Sequence, residues 1–134
     1  GYGDLSCYGR PDYRTPHLDQ LAREGLRFTS NYTAAAVCTP PRVALMTGRY
    51  PARLPVGLAE PLAYGDTSVG LPPEHPTPAS LLKAAGYETA LIGKWHLVSE
   101  PTGFDFWQVL VGQGQYYRPD FISAKGRRSV PGYV

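Results

Sequence analysis

Lysine is scarce in this chain of 134 residues, with three against ten arginines, and the net charge is only +2. The basic residues are scattered without a run. That argues against a nucleic-acid groove, which calls for a basic stripe interleaved with aromatics. No apolar stretch approaches the roughly 18 residues that a membrane-spanning helix needs. No signal-type segment is visible either, and since the first residue is not methionine this says nothing about a leader. Cysteine occurs twice, at Cys7 and Cys38, too rarely for a disulfide scaffold in a chain this long. Cys7 reads as a small buried side chain. What the chain has in quantity is glycine and proline, fifteen and fourteen residues, above ordinary usage yet short of low complexity. The expectation is a loop-rich globular piece whose 43% hydrophobic content can fill one modest core.

The turn-forming residues place the elements. Thr15 and Pro16 open a helix with Leu18, Leu21 and Ala22 on one face and Gly25 as its stop. Residues 26–33 read as a strand. Pro40 and Pro41 open a second helix through Val43, Ala44, Leu45 and Met46, closed by Gly48. Because a residue before proline is pushed out of the helical region, Cys38 and Thr39 are expected just outside its first turn. Residues 50–78 form a proline-rich loop with turns over 63–70. Thr77 and Pro78 start a third helix, with Leu81, Leu82 and Ala85 inward and Gly86 as the stop, and residues 87–92 are the next strand. Helices alternating with strands predict an α/β fold with a mainly parallel sheet.

The chemistry concentrates in two places. Cys38-Thr39-Pro40-Pro41-Arg42 sets one reactive side chain at a helix N-terminus, with a fixed positive charge four residues on and so on the same helical face. Gly93-Lys94-Trp95-His96 follows a strand, where open α/β sheets put their ligands. In an extended segment, alternation points Lys94 and His96 the same way and turns Trp95 into the packing. Such a site suits an anion. His17 and His75 read as structural or surface residues.

These stretches occur together with Gly1-Tyr2-Gly3-Asp4-Leu5, Thr15-Pro16-His17-Leu18-Asp19, Leu45-Met46-Thr47-Gly48-Arg49-Tyr50 and Gly86-Tyr87-Glu88-Thr89-Ala90. In this order and spacing the chain resembles the N-terminal part of the type I, formylglycine-dependent sulfatases, from residue 1 to about residue 121. The resemblance implies an alkaline-phosphatase-like three-layer α/β sandwich, of which residues 1–134 are part of the catalytic domain, incomplete at both ends. It implies hydrolysis of an aryl or carbohydrate sulfate monoester after a maturation enzyme oxidises Cys38 to formylglycine. Hydrated residue 38 is then nucleophile and ligand of a divalent cation, calcium or alternatively magnesium. Arg42 is expected to hold the nucleophile and offset developing charge. Lys94 is expected on a sulfate oxygen and near the leaving group, and His96 as hydrogen-bond partner and base during sulfate release. The expected partners are a sulfated small molecule or glycan and the maturation enzyme, and the expected compartment is the periplasm or the outside of the cell.

The chain departs from the family pattern at Pro41, where serine or alanine is usual, and at Val98, near which glycine is common. The paired acidic metal ligands are expected upstream of Gly1 and others beyond Val134, which makes this a fragment competent within a longer protein. Two other readings stay open: a phosphate or phosphonate ester hydrolase of the same superfamily, and an inactive truncated homologue. Thr102 to Trp107 and Gly112 to Phe121 resemble a segment of bacterial sulfatases, and aromatics beside amides suit a sugar face as well as they suit core and turn. Residues 122–134 show no apolar period and no readable function.

Overall fold

The computed structural model describes residues 2–59 and 69–133. They form two compact units, residues 1–32 and 33–134. Most of the turns expected over 63–70 therefore lie outside the described residues.

The first unit is held by polar contacts. Two single 3-10 turns, Tyr2–Asp4 and Ser6–Tyr8, precede helix α1, Pro16–Glu24, which starts and stops where the Thr15-Pro16 and Gly25 signals put it. Asp19 accepts from the hydroxyls of Ser6 (2.5 Å) and Thr15 (3.0 Å), tying the helix to the second turn. The Ser6 hydroxyl, more than any other group, holds the Asp19 carboxyl below its ordinary range. No described residue of this unit is buried, and Leu18 and Leu21 are exposed, so the apolar face of α1 has no core beneath it. The strand expected over residues 26–33 is absent. A strand needs a neighbour for its backbone groups, and here Leu26, Phe28 and Tyr32 lie exposed in irregular chain. Cys7, expected buried, is half-buried, and its carbonyl accepts from the Arg27 guanidinium at 2.5 Å.

The second unit carries the core. Helix α2 is Thr39–Thr47, α3 the single turn Pro55–Leu58, and α4 Pro78–Ala84. A hydroxyl capping box opens α4: the Thr77 side chain accepts from the Ser80 amide (3.1 Å) and the Ser80 side chain from the Thr77 amide (2.8 Å). The inward face predicted for α4 is wrong in its residues. Leu81 and Leu82 are exposed and Ala79 is buried instead.

Strands β1 (Ala90–Gly93), β2 (Phe106–Leu110), β3 (Asp120–Ser123) and β4 (Gly126–Ser129) form one sheet in that order. β1 and β2 run parallel, from Ala90 opposite Phe106 to Gly93 opposite Val109, whereas β2–β3 and β3–β4 are antiparallel. The sheet of the described residues is thus mixed. Parallel pairing sets the carboxyl ends of β1 and β2 side by side and forces residues 94–105 to cross back along the sheet. Thr89 and Asp105 fasten the return: the Asp105 carboxylate accepts from the Thr89 amide (2.9 Å) and hydroxyl (3.1 Å). Lys83, 2.7 Å away, contributes most to drawing the Asp105 carboxyl down to about 2 from an ordinary value of 3.8.

Val43, Leu54, Val56, Leu71, Trp95, Leu97 and Val109 make the core, with Met46, Val69, Leu91, Phe104 and Trp107 packed around it. Two of its members, Trp95 and Leu97, come from the crossover. Each contributes about 1.5–3 kcal/mol by burial, so the loop that leaves β1 is anchored through alternate residues.

Candidate active site

Cys38 stands at the N-terminus of α2, half-buried and with a free thiol. Its backbone is already helical (φ −60°, ψ −56°), and Thr39 is the first residue of the helix. The expectation that Thr39 lies outside the first turn is therefore corrected, while Cys38 keeps its expected place just before the helix, as its cap residue. The pre-proline preference is a bias that tertiary packing overrides here, since Thr39 and Pro40 are buried. Pro40 and Pro41 cost the helix little, because the first N–H groups of a helix have no partner within it. The first bond of the helix runs from the Arg42 amide to the Cys38 carbonyl at 3.4 Å.

Lys94 and His96 follow β1 at its carboxyl end, as the sequence suggested, and Trp95 between them is buried. The backbone reason is different from the one expected. The segment is not extended: His96 has φ +56° and Val98 φ +67°, both left-handed. The chain coils tightly after Lys94, pinned where the Leu97 carbonyl accepts from the amides of Leu71 (3.1 Å) and Ser99 (2.8 Å). The Trp95 ring N–H donates to the Ser99 carbonyl at 2.6 Å.

This coil brings the four candidate residues into one connected cluster. The Lys94 ammonium donates to Cys38 Sγ at 3.5 Å. The Arg42 guanidinium donates to the Lys94 carbonyl, fixing one positive group to the backbone of the other. The buried Thr39 hydroxyl lies 3.3 Å from His96 Nδ1 and donates to the His96 carbonyl, also at 3.3 Å. Gln113, in the turn after β2, completes the ring: Oε1 accepts from Lys94, and Nε2 lies 3.4 Å from His96 Nε2.

Thr39 and Gln113 are site neighbours that motif reading passed over. Thr39 occupies the variable position of Cys-x-Pro-x-Arg. Gln113 belongs to the aromatic and amide segment 112–121, whose amides were the available signal. His17 and His75 do not enter these contacts: His17 is exposed on α1, and His75 closes a turn on the Pro72 carbonyl.

An ammonium beside the Cys38 thiol, a guanidinium on the lysine's own carbonyl, and an imidazole in contact with a hydroxyl and an amide form an arrangement that suits a tetrahedral oxyanion. A sulfatase family model matches residues 1–124. The chain belongs to the sulfatase family.

The chain is 54% identical over 100 residues to mouse steryl-sulfatase, covering 72% of this chain and 16% of that protein. Human arylsulfatase A is 51% identical over 105 residues (77% and 20%). An N-acetylglucosamine-6-O-sulfatase of Bacteroides thetaiotaomicron is 41% identical over 120 residues (87% and 20%). Among solved structures, a protein in complex with its substrate, D-glucosamine-2-N,6-O-disulfate, superposes with a TM-score of 0.76 at 38% identity, covering 98% of this chain and 26% of that one. The chain thus spans about a fifth of the length of these curated relatives. These neighbours bear out the expected α/β, alkaline-phosphatase-like class, of which the described residues form a part.

Proposed function

We propose that this sulfatase-family chain supplies the sulfate-handling face of an enzyme that hydrolyses aryl or carbohydrate sulfate monoesters. The observation that carries the reading is the approach of the Lys94 ammonium to Cys38 Sγ at 3.5 Å, with Gln113 joining that ammonium to His96. The glucosamine disulfate in the related structure, and the name of the bacterial N-acetylglucosamine-6-O-sulfatase, favour a carbohydrate sulfate. Exposed Tyr116 and Tyr117, just beyond Gln113, offer aromatic surface of the kind a sugar ring covers.

The geometry fits formylglycine at residue 38. A free thiol at a helix start, beside an ammonium group, supports that reading. When formed, that group supplies a hydrated aldehyde hydroxyl as the nucleophile. Lys94 is placed to balance charge on a sulfate oxygen as it leaves water for the site. Arg42 stiffens Lys94 through the backbone carbonyl and adds positive potential on the same side. His96, steadied by Thr39 and Gln113, is placed to accept a proton during product release.

A divalent metal ion does not fit the described residues by themselves. Among them no group of three or more His, Cys, Asp or Glu side chains converges. Calcium takes six to eight oxygen ligands, whereas Arg42 and Lys94 bring positive charge.

The test uses the complete protein that contains this chain, expressed with a formylglycine-generating enzyme. Mass spectrometry of the peptide spanning Cys38 should show conversion, and a 4-nitrophenyl sulfate should be hydrolysed by the wild type and not by Cys38→Ala. An unmodified thiol together with hydrolysis of 4-nitrophenyl phosphate or phosphonate, but not sulfate, would replace this reading with that of a phosphate-type hydrolase. Loss of every activity despite conversion would point to an inactive homologue.

A further inference from the structure

We infer that Tyr116, backed by Tyr133, is a subsite for the sugar next to the one that bears the reacting sulfate. The inference rests on the proposed hydrolysis of a carbohydrate sulfate and deepens it, because it calls for an oligosaccharide where the catalytic cluster calls only for a sulfate ester.

Three tyrosines near the end of the chain stay in contact with water. Tyr116, Tyr117 and Tyr133 are 76%, 70% and 73% exposed. The rings of Tyr116 and Tyr133 lie nearly parallel, 15° apart in plane and 6.2 Å between centroids, so each turns one face to the other and leaves the opposite face open. None of the three hydroxyls makes a hydrogen bond to the described residues. The pair is thus an apolar plate with polar tips. A pyranose ring is divided the same way: the C–H groups of its flat side carry slight positive charge and suit the negative face of an aromatic ring, while its hydroxyls stand around the edge. Tyrosine offers this contact area at low entropic cost, having only two side-chain torsions to fix.

The backbone fixes the pair in place. Tyr117 bridges Tyr133 in antiparallel sense. The Arg118 amide donates to the Gly132 carbonyl at 2.8 Å, and the Val130 amide to the Pro119 carbonyl at 3.0 Å. Pro119 is fully buried, so the segment that carries the rings is anchored in the fold. Its place along the chain decides which sugar it meets. Gln113 touches Lys94 and His96 and so marks the wall of the cluster. Tyr116 is three residues further on, its Cα at most about 11 Å from that of Gln113. Neither Tyr116 nor Tyr133 bonds to Cys38, Arg42, Lys94 or His96. The ring that carries the ester has to meet those four residues, which leaves the tyrosine pair, beyond the turn, for its neighbour in the glycan.

The test takes the complete protein as Cys38→Ala, which should turn nothing over, and titrates it by calorimetry with sulfated oligosaccharides cut from heparin, chondroitin sulfate and carrageenan, each beside its sulfated monosaccharide. One of these oligosaccharides should bind more tightly than its monosaccharide. Adding Tyr116→Ala should weaken that oligosaccharide by about five- to thirty-fold, the range for losing one well-placed aromatic contact, and leave the monosaccharide unchanged. Tyr116→Phe should keep most of the affinity. Tyr133→Ala removes only the backing and should lose less than Tyr116→Ala. In the matured protein with Cys38 intact, Tyr116→Ala should leave kcat and KM on 4-nitrophenyl sulfate at their wild-type values. Both tyrosines are mostly exposed, so the variants should melt with the wild type. An oligosaccharide preference that survives Tyr116→Ala, or no preference in any of the three series, would overturn the inference; with 4-nitrophenyl sulfate still hydrolysed, the sulfatase reading would stand. A preference that depends on Tyr116, in a protein that cleaves no sulfate ester, would keep the subsite and remove that reading.

Discussion

Val98 occupies a backbone conformation that valine should avoid, and replacing it tests the coil that shapes the site. Its φ of +67° lies in the left-handed region, which costs an L-residue roughly 1–2 kcal/mol, with β-branched side chains at the upper end. Glycine removes that strain but loses about 0.4–1 kcal/mol through the greater freedom of its unfolded chain. Both Val98→Gly and Val98→Ala give up nearly the same half-buried side chain, so the difference between them isolates the backbone. The glycine variant should be the more stable of the two by about 0.5–1 kcal/mol. At an ordinary element position the order is the opposite, with alanine ahead by roughly 0.5–1 kcal/mol. Thermal melts followed by circular dichroism should separate the variants by about 2–6 °C, and urea midpoints should rank them alike. Equal stability, or alanine ahead, would mean that residue 98 is not left-handed in solution. The coil drawn from Lys94 to Ser99 would then be wrong.

Two further outcomes follow from the packing and the charges. Leu97 is fully buried, so Leu97→Ala should cost about 2–5 kcal/mol in chemical denaturation, whereas Leu45→Ala, at a position 69% exposed, should stay within about 0.5 kcal/mol; similar losses at both would refute the core assignment. Asp105 has its carboxyl lowered from 3.8 to about 2, chiefly by Lys83 and then by Thr89. A depressed folded value means that the carboxylate's stabilisation is present above the unfolded value and is lost as pH falls through the folded one. The gap in urea midpoint between wild type and Asp105→Asn should therefore be constant above about pH 4 and close toward about pH 2; a gap independent of pH would remove Asp105 from the fastening of β1 to β2.

How much of this was legible depends on what each residue answers to. Helix starts at Thr15-Pro16 and Thr77-Pro78 and stops at Gly25 and Gly48 are local chemistry, and they lie where the sequence puts them. The inward faces of α1 and α4 were not legible, since Leu18, Leu21, Leu81 and Leu82 have a helical period but no apolar layer over them in the described residues. The hairpin of β3 and β4 escaped notice because every residue of β4 is exposed, leaving no alternation to read. Its register is held by Asp120, whose carboxyl is lowered by the hydroxyl of Ser129 and then by Arg127. Cys38, Arg42, Lys94 and His96 could be named because motif spacing marks them. Gln113 could not, because its place depends on a strand pairing across 17 residues from His96.

That dependence explains why chemistry and core meet in one loop. Lys94 and His96 are neighbours of Trp95 and Leu97, which are 5% and 0% exposed. A loop held only at its ends would let an ammonium and an imidazole wander by ångströms, enough to lose most of the advantage of orientation. Here alternate residues are locked into a hydrophobic cluster that also contains Val43 of α2, the helix that carries Cys38 and Arg42. The distance from Lys94 to Cys38 is thus set by packing between two elements far apart in sequence. A cavity at Leu97 should for that reason damage turnover out of proportion to the fraction of protein unfolded, while one at Leu54, in the same cluster but outside the loop and the helix, should damage stability alone.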